Sequence, residues 1–243
     1  MRCLFISDLH LCEQRPDITR ALLHFLSDQA PHCDQLYLLG DIFEAWIGDD
    51  FIPQWLNPVI TQLSRLSDQG VGLFFQHGNR DFLVGEQLMD KIGASLLPEI
   101  AVTTLPDEAT ALLLHGDQLC LEDIEYQKFR LMVRDRKWQQ LFLSKPLEER
   151  LTIARQLRAA SKEQGSMKSN DIMDVSAQAV SETLTDYDSR LMIHGHTHRP
   201  AIHDIDDAVP GARRIVLGDW DTSGWYLDCT EQGCQLISFP IAQ

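Results

Sequence analysis

Five short apolar runs, each breaking into a cluster of aspartate, asparagine or histidine, constrain this chain more than any other feature. "CLFI" (3–6) runs into Ser7-Asp8-Leu9-His10, "QLYLL" (35–39) into Gly40-Asp41, and "VGLFFQ" (71–76) into His77-Gly78-Asn79-Arg80-Asp81. "TALLL" (110–114) runs into His115-Gly116-Asp117, and "RLMI" (190–193) into His194-Gly195-His196-Thr197-His198. Each run is strand-length and unbroken, as expected of strands covered on both faces. Between the first three lie helical patterns. Residues 17–30 place Ile18, Leu22, Phe25 and Leu26 on one face, with Asp17 as the N-cap, and residues 55–69 do the same with Leu56, Val59, Ile60, Leu63 and Leu66. Strands alternating with helices mean βαβ units and an α/β class. Such sheets gather ligands beyond the carboxyl ends of their strands. Five strands are therefore expected to deliver Asp, His and Asn side chains to one edge.

From 122 to 188 the pattern turns helical without strands. "YQKFRLMVRDRKWQQLFL" (126–143) spaces Tyr126, Phe129 and Val133 at helical intervals. "EERLTIARQLRAASKEQ" (148–164) does so with Leu151, Ala154 and Leu157, beside Arg150, Arg155 and Arg158. This stretch reads as a helical insertion or lid between the fourth and fifth ligand strands. After His198, β-rich runs at 213–217, 225–229 and 235–239 suit a second, antiparallel sheet. With no repeat and no low-complexity linker, residues 1–243 read as one domain.

At 243 residues the chain is within the range of one large sheet-based domain. Hydrophobic residues at 44% and charged residues at 23% are ordinary for a soluble globular protein. No apolar run is long enough to span a membrane, and Asp8 interrupts what would be a signal peptide. The six cysteines form no CxxC pair, so they read as reduced, mostly buried cytosolic thiols without a zinc cluster. A net charge of −15 argues against nucleic acid as a partner. The charge is uneven: residues 124–170 hold 11 Lys/Arg against 5 Asp/Glu, in a chain with 21 against 36. A basic island in an acidic protein suits an anionic ligand or an anionic membrane surface. From charge alone, a solvated, salt-bridged helical face is the better reading.

The strand-end residues Asp8, His10, Asp41, Asn79, His115, His196 and His198 form a set of oxygen and imidazole donors with no thiolate. That set suits Mn²⁺, Fe or Zn²⁺, because imidazole favours the transition metals. Seven donors exceed what one ion takes, so two ions sharing a carboxylate is the economical arrangement, with Asp41 as the natural bridge. Two ions about 3.5–4 Å apart clamp a phosphoryl group and make a hydroxide nucleophile near neutral pH, which points to hydrolysis of a phosphate ester or anhydride. Singly, a strand-end Asp is more often a turn residue, and a single His is more often a satisfied polar group. Their ordered joint occurrence is what points to a site. His194 is assigned to structure or to supporting the ligands from behind.

The ordered motifs "DLH" (8–10), "GDIFE" (40–44), "GNRD" (78–81), "HGD" (115–117) and "GHTH" (195–198) resemble the calcineurin-like metallophosphoesterase superfamily. The resemblance implies a four-layer αββα fold: a two-sheet β-sandwich flanked by helices, with metals at the sheet edge. It further implies one ion on Asp8, His10, Asp41 and His198, and another on Asp41, Asn79, His115 and His196. Arg80 departs from the superfamily pattern, which carries a histidine there to assist the leaving group. Arginine offers bidentate phosphate contacts and a permanent charge. That suits a phosphate leaving from an anhydride, although Arg80 could also form a surface ion pair.

"GDIFEAWIGDD" (40–50), "GNRDFL" (78–83) and "HGHTHRP" (194–200) are similar, more closely still, to the UDP-2,3-diacylglucosamine pyrophosphatase family of Gram-negative lipid A biosynthesis. This resemblance implies a water, activated by two Mn²⁺ ions, attacking the phosphorus nearest uridine to give UMP and 2,3-diacylglucosamine 1-phosphate. It places Asp41, Asn79, Arg80 and His115 in catalysis, and substrate contacts on Asn79, Arg80, Asp123, Ser161, Lys168 and His196. Gly165 stands where that family commonly has a polar side chain. The family's helical lid matches 122–188, where Phe129, Met132, Trp138, Leu141 and Phe142 either line an acyl channel or simply pack helices. The implied setting is the cytoplasmic face of the inner membrane, with peripheral contact, a lipid-linked UDP-sugar as substrate and no obligate protein partner. A broader nucleotide pyrophosphatase or phosphodiesterase, a metal-free interaction module and a nuclease remain as alternatives, in falling order.

Overall fold

The computed structural model describes residues 1–167, 174–205 and 209–242, and of residues 160–167 the helical backbone only. The amino-terminal half is β1 (Cys3–Ile6), α1 (Pro16–Asp28), β2 (Gln35–Leu39), α2 (Asn57–Asp68), β3 (Gly72–Gln76), α3 (Glu86–Ile92) and β4 (Ala94–Leu96). These strands pair in parallel, β1 with β2, β2 with β3 and β3 with β4. β5 (Ala101–Thr104) and β6 (Thr110–Leu113) then form an antiparallel hairpin. Four helices follow: α4 (Ile124–Arg134), α5 (Arg136–Leu143), α6 (Leu147–Met167) and α7 (Ala177–Asp186). The chain closes with β7 (Leu191–His194), β8 (Ala201–Ile205), β9 (Ala212–Val216), β10 (Ser223–Thr230) and β11 (Gly233–Pro240).

Among the described residues the strands form two sheets, ordered β11-β10-β1-β2-β3-β4 and β5-β6-β7-β9-β8. Strand alternation decides which side chains go where. Cys3, Phe5, Tyr37 and Leu39 of the first sheet meet Ala111, Leu113, Leu191, Ile193 and Ile215 of the second. Leu4, Ile6, Leu36, Leu38, Leu73 and Phe75 point the other way, under Ile18, Leu22, Val59, Leu63 and Leu88 of the helices. On the outer face of the second sheet, Leu112, Leu114, Met192 and Ala212 lie under Ala179, Val180 and Leu184 of α7. The layers are therefore helix, sheet, sheet, helix, the αββα order expected.

Several expectations need correction. The five ligand strands do not share one sheet: β1, β2 and β3 lie in the first, β6 and β7 in the second. The three late β-runs do not form a sheet of their own. β9 runs parallel to β7, whereas β10 pairs antiparallel with β1. Alternation marks which face is buried, not which sheet a strand joins. Asp17 is not the N-cap of α1: the helix begins at Pro16, and Asp17 pairs with Arg15 at 2.8 Å. The helical run at 126–143 is broken at Asp135, whose extended backbone lets its carboxylate cap Lys137 and Trp138 of α5. The cysteines are not all thiols. Cys229 and Cys234 face each other across the β10–β11 hairpin, with Cα atoms 4.1 Å apart, and form a disulfide. A spacing of five bridged by a Thr-Glu-Gln-Gly turn could have signalled this pairing.

Candidate metal centre

The carboxyl ends of β1, β2, β3, β6 and β7 converge, and the backbone there is unusual. Among the described residues, seven non-glycine positions have positive φ, and five of them are Asp8, His10, Asp41, His196 and His198. For Asp or His this left-handed conformation is sparsely populated and persists only where the surroundings enforce it. Here neighbouring strands enforce it: Asp8 N–H donates to the Gly40 carbonyl at 3.1 Å and His10 N–H to the Asp41 carbonyl at 3.0 Å. Two glycines make the approach possible. A Cβ on Gly78 would sit 2.1 Å from Asp41 Oδ1, and one on Gly195 would sit 2.1 Å from Asp8 Oδ2.

The seven expected donors and Arg80 are brought to this edge. Asp8 and Asp41 are buried. Ser7 Oγ donates to Asp8 Oδ2 at 2.5 Å, and His196 N–H reaches both Asp8 oxygens at 3.0–3.1 Å. Asp41 Oδ1 accepts the Arg80 N–H at 2.8 Å and lies 3.6 Å from His115 Nε2. His10 Nε2 and His198 Nε2 stand 3.2 Å apart, with Asp8 Oδ1 3.4 Å from the latter. Asn79 Oδ1 faces His115 Nε2 at 3.0 Å and His196 Nδ1 at 2.9 Å. His115 Nδ1 donates to the Leu39 carbonyl at 3.0 Å, fixing the ring and leaving Nε2 for the site.

These donors fit cations. Two groups bring candidate ligand atoms within 4.8 Å of one another: Asp8, His10 and His198, and Asp8, Asp41 and His115. Asp8 belongs to both groups and Asp41, the expected bridge, to one; the Asp41 oxygens lie 3.9 Å from His10 Nε2 and 3.6 Å from His115 Nε2. Burial by itself would raise the Asp8 carboxyl, but the hydrogen bond with His198 and the charges of His115, His198 and His10 hold it well below the carboxylate range. Burial lowers His198, yet the hydrogen bond to Asp8 and the charges of Asp8, Asp219 and Asp41 push it up to about 9. The carboxylates thus create a field that calls for positive charge. Burial holds His196 down at about 4, which keeps its imidazole neutral and able to ligate.

His194 is a structural residue. It is fully buried, its Nδ1 donates to the Gly195 carbonyl at 2.8 Å, and its Nε2 accepts from Arg214 at 3.2 Å. One neutral tautomer satisfies both bonds, and burial keeps the ring neutral by lowering it to about 3. Arg80 forms no ion pair among the described residues. Its side chain is half-buried, and its Nε has no hydrogen-bond partner. The surface ion pair considered for it is therefore absent.

Asp123 is buried, caps α4 and accepts the Tyr126 N–H at 3.1 Å. Ser161 lies where only the helical backbone is described, and Lys168 lies outside the described residues. Sequence reasoning missed the residues that join the helices to this edge. Tyr126 OH and Arg130 Nε both donate to the buried Asp117, at 2.7 and 2.8 Å, and the Tyr126 ring is 6.0 Å from that of His196. Arg134 donates to the Gly78 carbonyl at 3.0 Å. Arg158 pairs with Glu44, which itself lies 3.1 Å from His10 Nδ1. Asp117 stood in the "HGD" motif, but nothing in the sequence linked it to α4.

Residues 1–200 match the calcineurin-like phosphoesterase family. The UDP-2,3-diacylglucosamine hydrolase of Tolumonas auensis is 47% identical over 99% of this chain and 98% of its own length. The protein of that name from Chromohalobacter salexigens is 50% identical over 93% and 92%. A solved archaeal phosphodiesterase is 14% identical, covers 98% of this chain and 100% of its own, and superposes with a TM-score of 0.50, a likeness of fold alone. With its ordered strand-end motifs gathered at one edge and this likeness along its whole length, the chain belongs to the calcineurin-like phosphoesterases, in the family of the UDP-2,3-diacylglucosamine hydrolases.

Proposed function

We propose that this protein hydrolyses the pyrophosphate bond of UDP-2,3-diacylglucosamine, giving UMP and 2,3-diacylglucosamine 1-phosphate for lipid A biosynthesis. The observation that carries the reading is a half-buried arginine with an unpartnered Nε, Arg80, whose N–H is anchored to Asp41 within the Asp/His/Asn cluster. The names of the full-length relatives support it.

One ion would be held by Asp8, His10, Asp41 and His198, and the other by Asp41, Asn79, His115 and His196. We propose Mn²⁺ for both, since the donors are oxygen and imidazole. When bound, such a pair supplies charge neutralisation at phosphoryl oxygens and a water of lowered pKa. The chain's own contributions are positional. Asn79 Oδ1 lies 3.0 Å from His115 Nε2 and 2.9 Å from His196 Nδ1, so the three atoms stand where they would share one ion. Arg80 receives the departing lipid phosphate, a good leaving group that needs charge compensation rather than a proton. Water oxygen enters UMP, and the bridging oxygen leaves with the lipid. Asp123, Ser161, Lys168, His196 and Asn79 complete the proposed substrate contacts.

The whole chain acts in this reading as one domain, with the helices within 122–188 as its lid over the edge. Of the candidate acyl contacts, Met132 and Leu141 are exposed, at 45% and 64%. Phe142 is buried in the core, and Trp138 stacks on it at 5.3 Å, so both are spent on packing. With Ile124 and Leu131 also exposed, this surface suits peripheral contact with the cytoplasmic face of the inner membrane. No described helix is long and apolar enough to cross a membrane.

Incubation of the Mn²⁺-loaded protein with UDP-2,3-diacylglucosamine in ¹⁸O water tests the reaction. UMP carrying the label is expected. No UMP would overturn the reading, and label in the lipid phosphate would overturn the site of attack.

A further inference from the structure

A second concave site lies behind the metal edge. It is a cavity of about 210 Å³ on the outer face of the second sheet, lined by Thr197, Arg199, Ala201, His203, Arg214 and Asp174, among others. Strand alternation places Arg214 on the same face as Ala212, which packs under α7. Thr197 sits between His196 and His198 in the chain, so the loop that offers two imidazoles to one side lines this cavity on the other.

Its polar groups are unevenly matched. Among the described lining residues the one carboxylate, Asp174, pairs with Arg199. Arg214 has no ion pair among the described residues; one of its terminal nitrogens donates to the neutral His194 ring, and its Nε has no partner. The Thr197 hydroxyl also lacks one. Burial lowers the Arg214 guanidinium, so its charge is held at a cost that a nearby anion would relieve. Beside the Arg199–Asp174 pair, Arg214 and the Thr197 hydroxyl thus bring an uncompensated guanidinium and unpartnered donors to the lining among the described residues. Arginine forks match tetrahedral oxyanions and carboxylates.

We propose that this cavity is an anion-binding site, separate from the metal centre, in which Arg214 and Thr197, with Arg199 at its side, hold a phosphate group, either free or carried on a small phosphomonoester. Its donors, guanidiniums and a hydroxyl, differ in kind from the Asp/His/Asn set at the strand ends.

The test is calorimetric titration of the Mn²⁺-loaded protein, dialysed free of excess metal, with inorganic phosphate and separately with UMP. Two classes of phosphate site are expected, one abolished by Asp8→Ala at the metal centre and one not. Arg214→Gln should weaken the second class at least tenfold and leave the first unchanged, and Arg214→Lys should recover part of the loss. Ala201→Glu, which brings a carboxylate to the cavity from β8, should also abolish the second class and covers the case in which Arg214 variants fail to fold. Tighter second-class binding of UMP than of phosphate assigns the site to organic phosphates, and the reverse assigns it to the free ion. A single class of site in the wild type, or two classes unaltered by Arg214→Gln or Ala201→Glu, would overturn the proposal.

Discussion

The strand-end edge and the helices above it are built on opposite plans. At the edge, ligands sit in left-handed backbone on neighbouring strands, crowded against glycines and fixed by main-chain hydrogen bonds. The helices α4 to α6 keep ordinary backbone, expose Ile124, Leu131, Met132 and Leu141, and are tied down by a few side chains such as Arg130, Arg134 and Arg150. Chemistry that must be placed to fractions of an ångström is assigned to the rigid sheet. On the proposed function, recognition of a large, partly apolar substrate would fall to the helices, whose surface can vary without disturbing the ligands.

Substitution can break this contrast at its strong end first. Asp8→Ala or Asp41→Ala should lower UMP release on the order of 10³-fold or more, as removal of the centre's charge stabilisation would. Bound metal, measured by elemental analysis, should fall with it. Gly195→Ala changes no ligand, yet its Cβ would meet Asp8 at 2.1 Å. Misplacement of that kind should cost about 10²-fold in kcat, with an unchanged far-ultraviolet circular dichroism spectrum. An alanine variant of near wild-type activity would show that the edge yields more than its geometry implies.

Arg80 lies where the two regions meet. Arg80→Ala should cost about 10²-fold in kcat, and Arg80→Lys about tenfold, because lysine keeps the charge but loses the bidentate fork. At the weak end, Leu141→Asp on the exposed face should raise KM about threefold for vesicle-borne substrate and leave a water-soluble short-chain analogue unaffected, as loss of a small apolar membrane contact would. Equal effects on both substrates would remove the membrane-contact reading for that face.

The smallest effect concerns the anchor of α6. Arg150 is buried and pairs with Asp50. The hydrogen bond from Arg150 holds the Asp50 carboxyl below its ordinary range. A depressed carboxylate stabilises the fold above its unfolded pKa, and that contribution is lost as pH falls through the folded value. Because Asp50 is 59% exposed, Asp50→Asn should lower Tm by only about 2 °C at pH 7, from ~0.5 kcal/mol for a screened pair. The gap to wild type should close as the pH drops below 4.

How far the sequence carries follows from the same contrast. The ligand strands were legible because each is a short apolar run that ends abruptly in polar residues, and α1 and α2 because Ile18, Leu22, Phe25 and Leu26, and Val59, Ile60, Leu63 and Leu66, recur at helical spacing and are buried as expected. The homes of β9 and β10 were not legible, since both alternate alike and only tertiary pairing divides them between sheets. Asp135 gave no warning of its break, because an Asp inside a charged helical run reads as one more solvated side chain until its cap on Lys137 and Trp138 is seen. The Tyr126–Asp117–Arg130 junction joins residues that only become neighbours once α4 packs down.

The pairing of β10 with β1 bears on how the protein is made. β1 precedes β2 and β3 and can join them early, but its other edge is covered only when β10 follows all the intervening strands and helices. Until then the nascent sheet carries an open edge strand, a template for unwanted pairing between chains. His196 and His198 also emerge late, on the loop after β7, so a growing chain can hold Asp8, Asp41 and His115 in place well before its full set of ligands exists. A truncated product that lacks the last two strands would keep all seven candidate ligands, yet leave one edge of β1 open and be prone to aggregate.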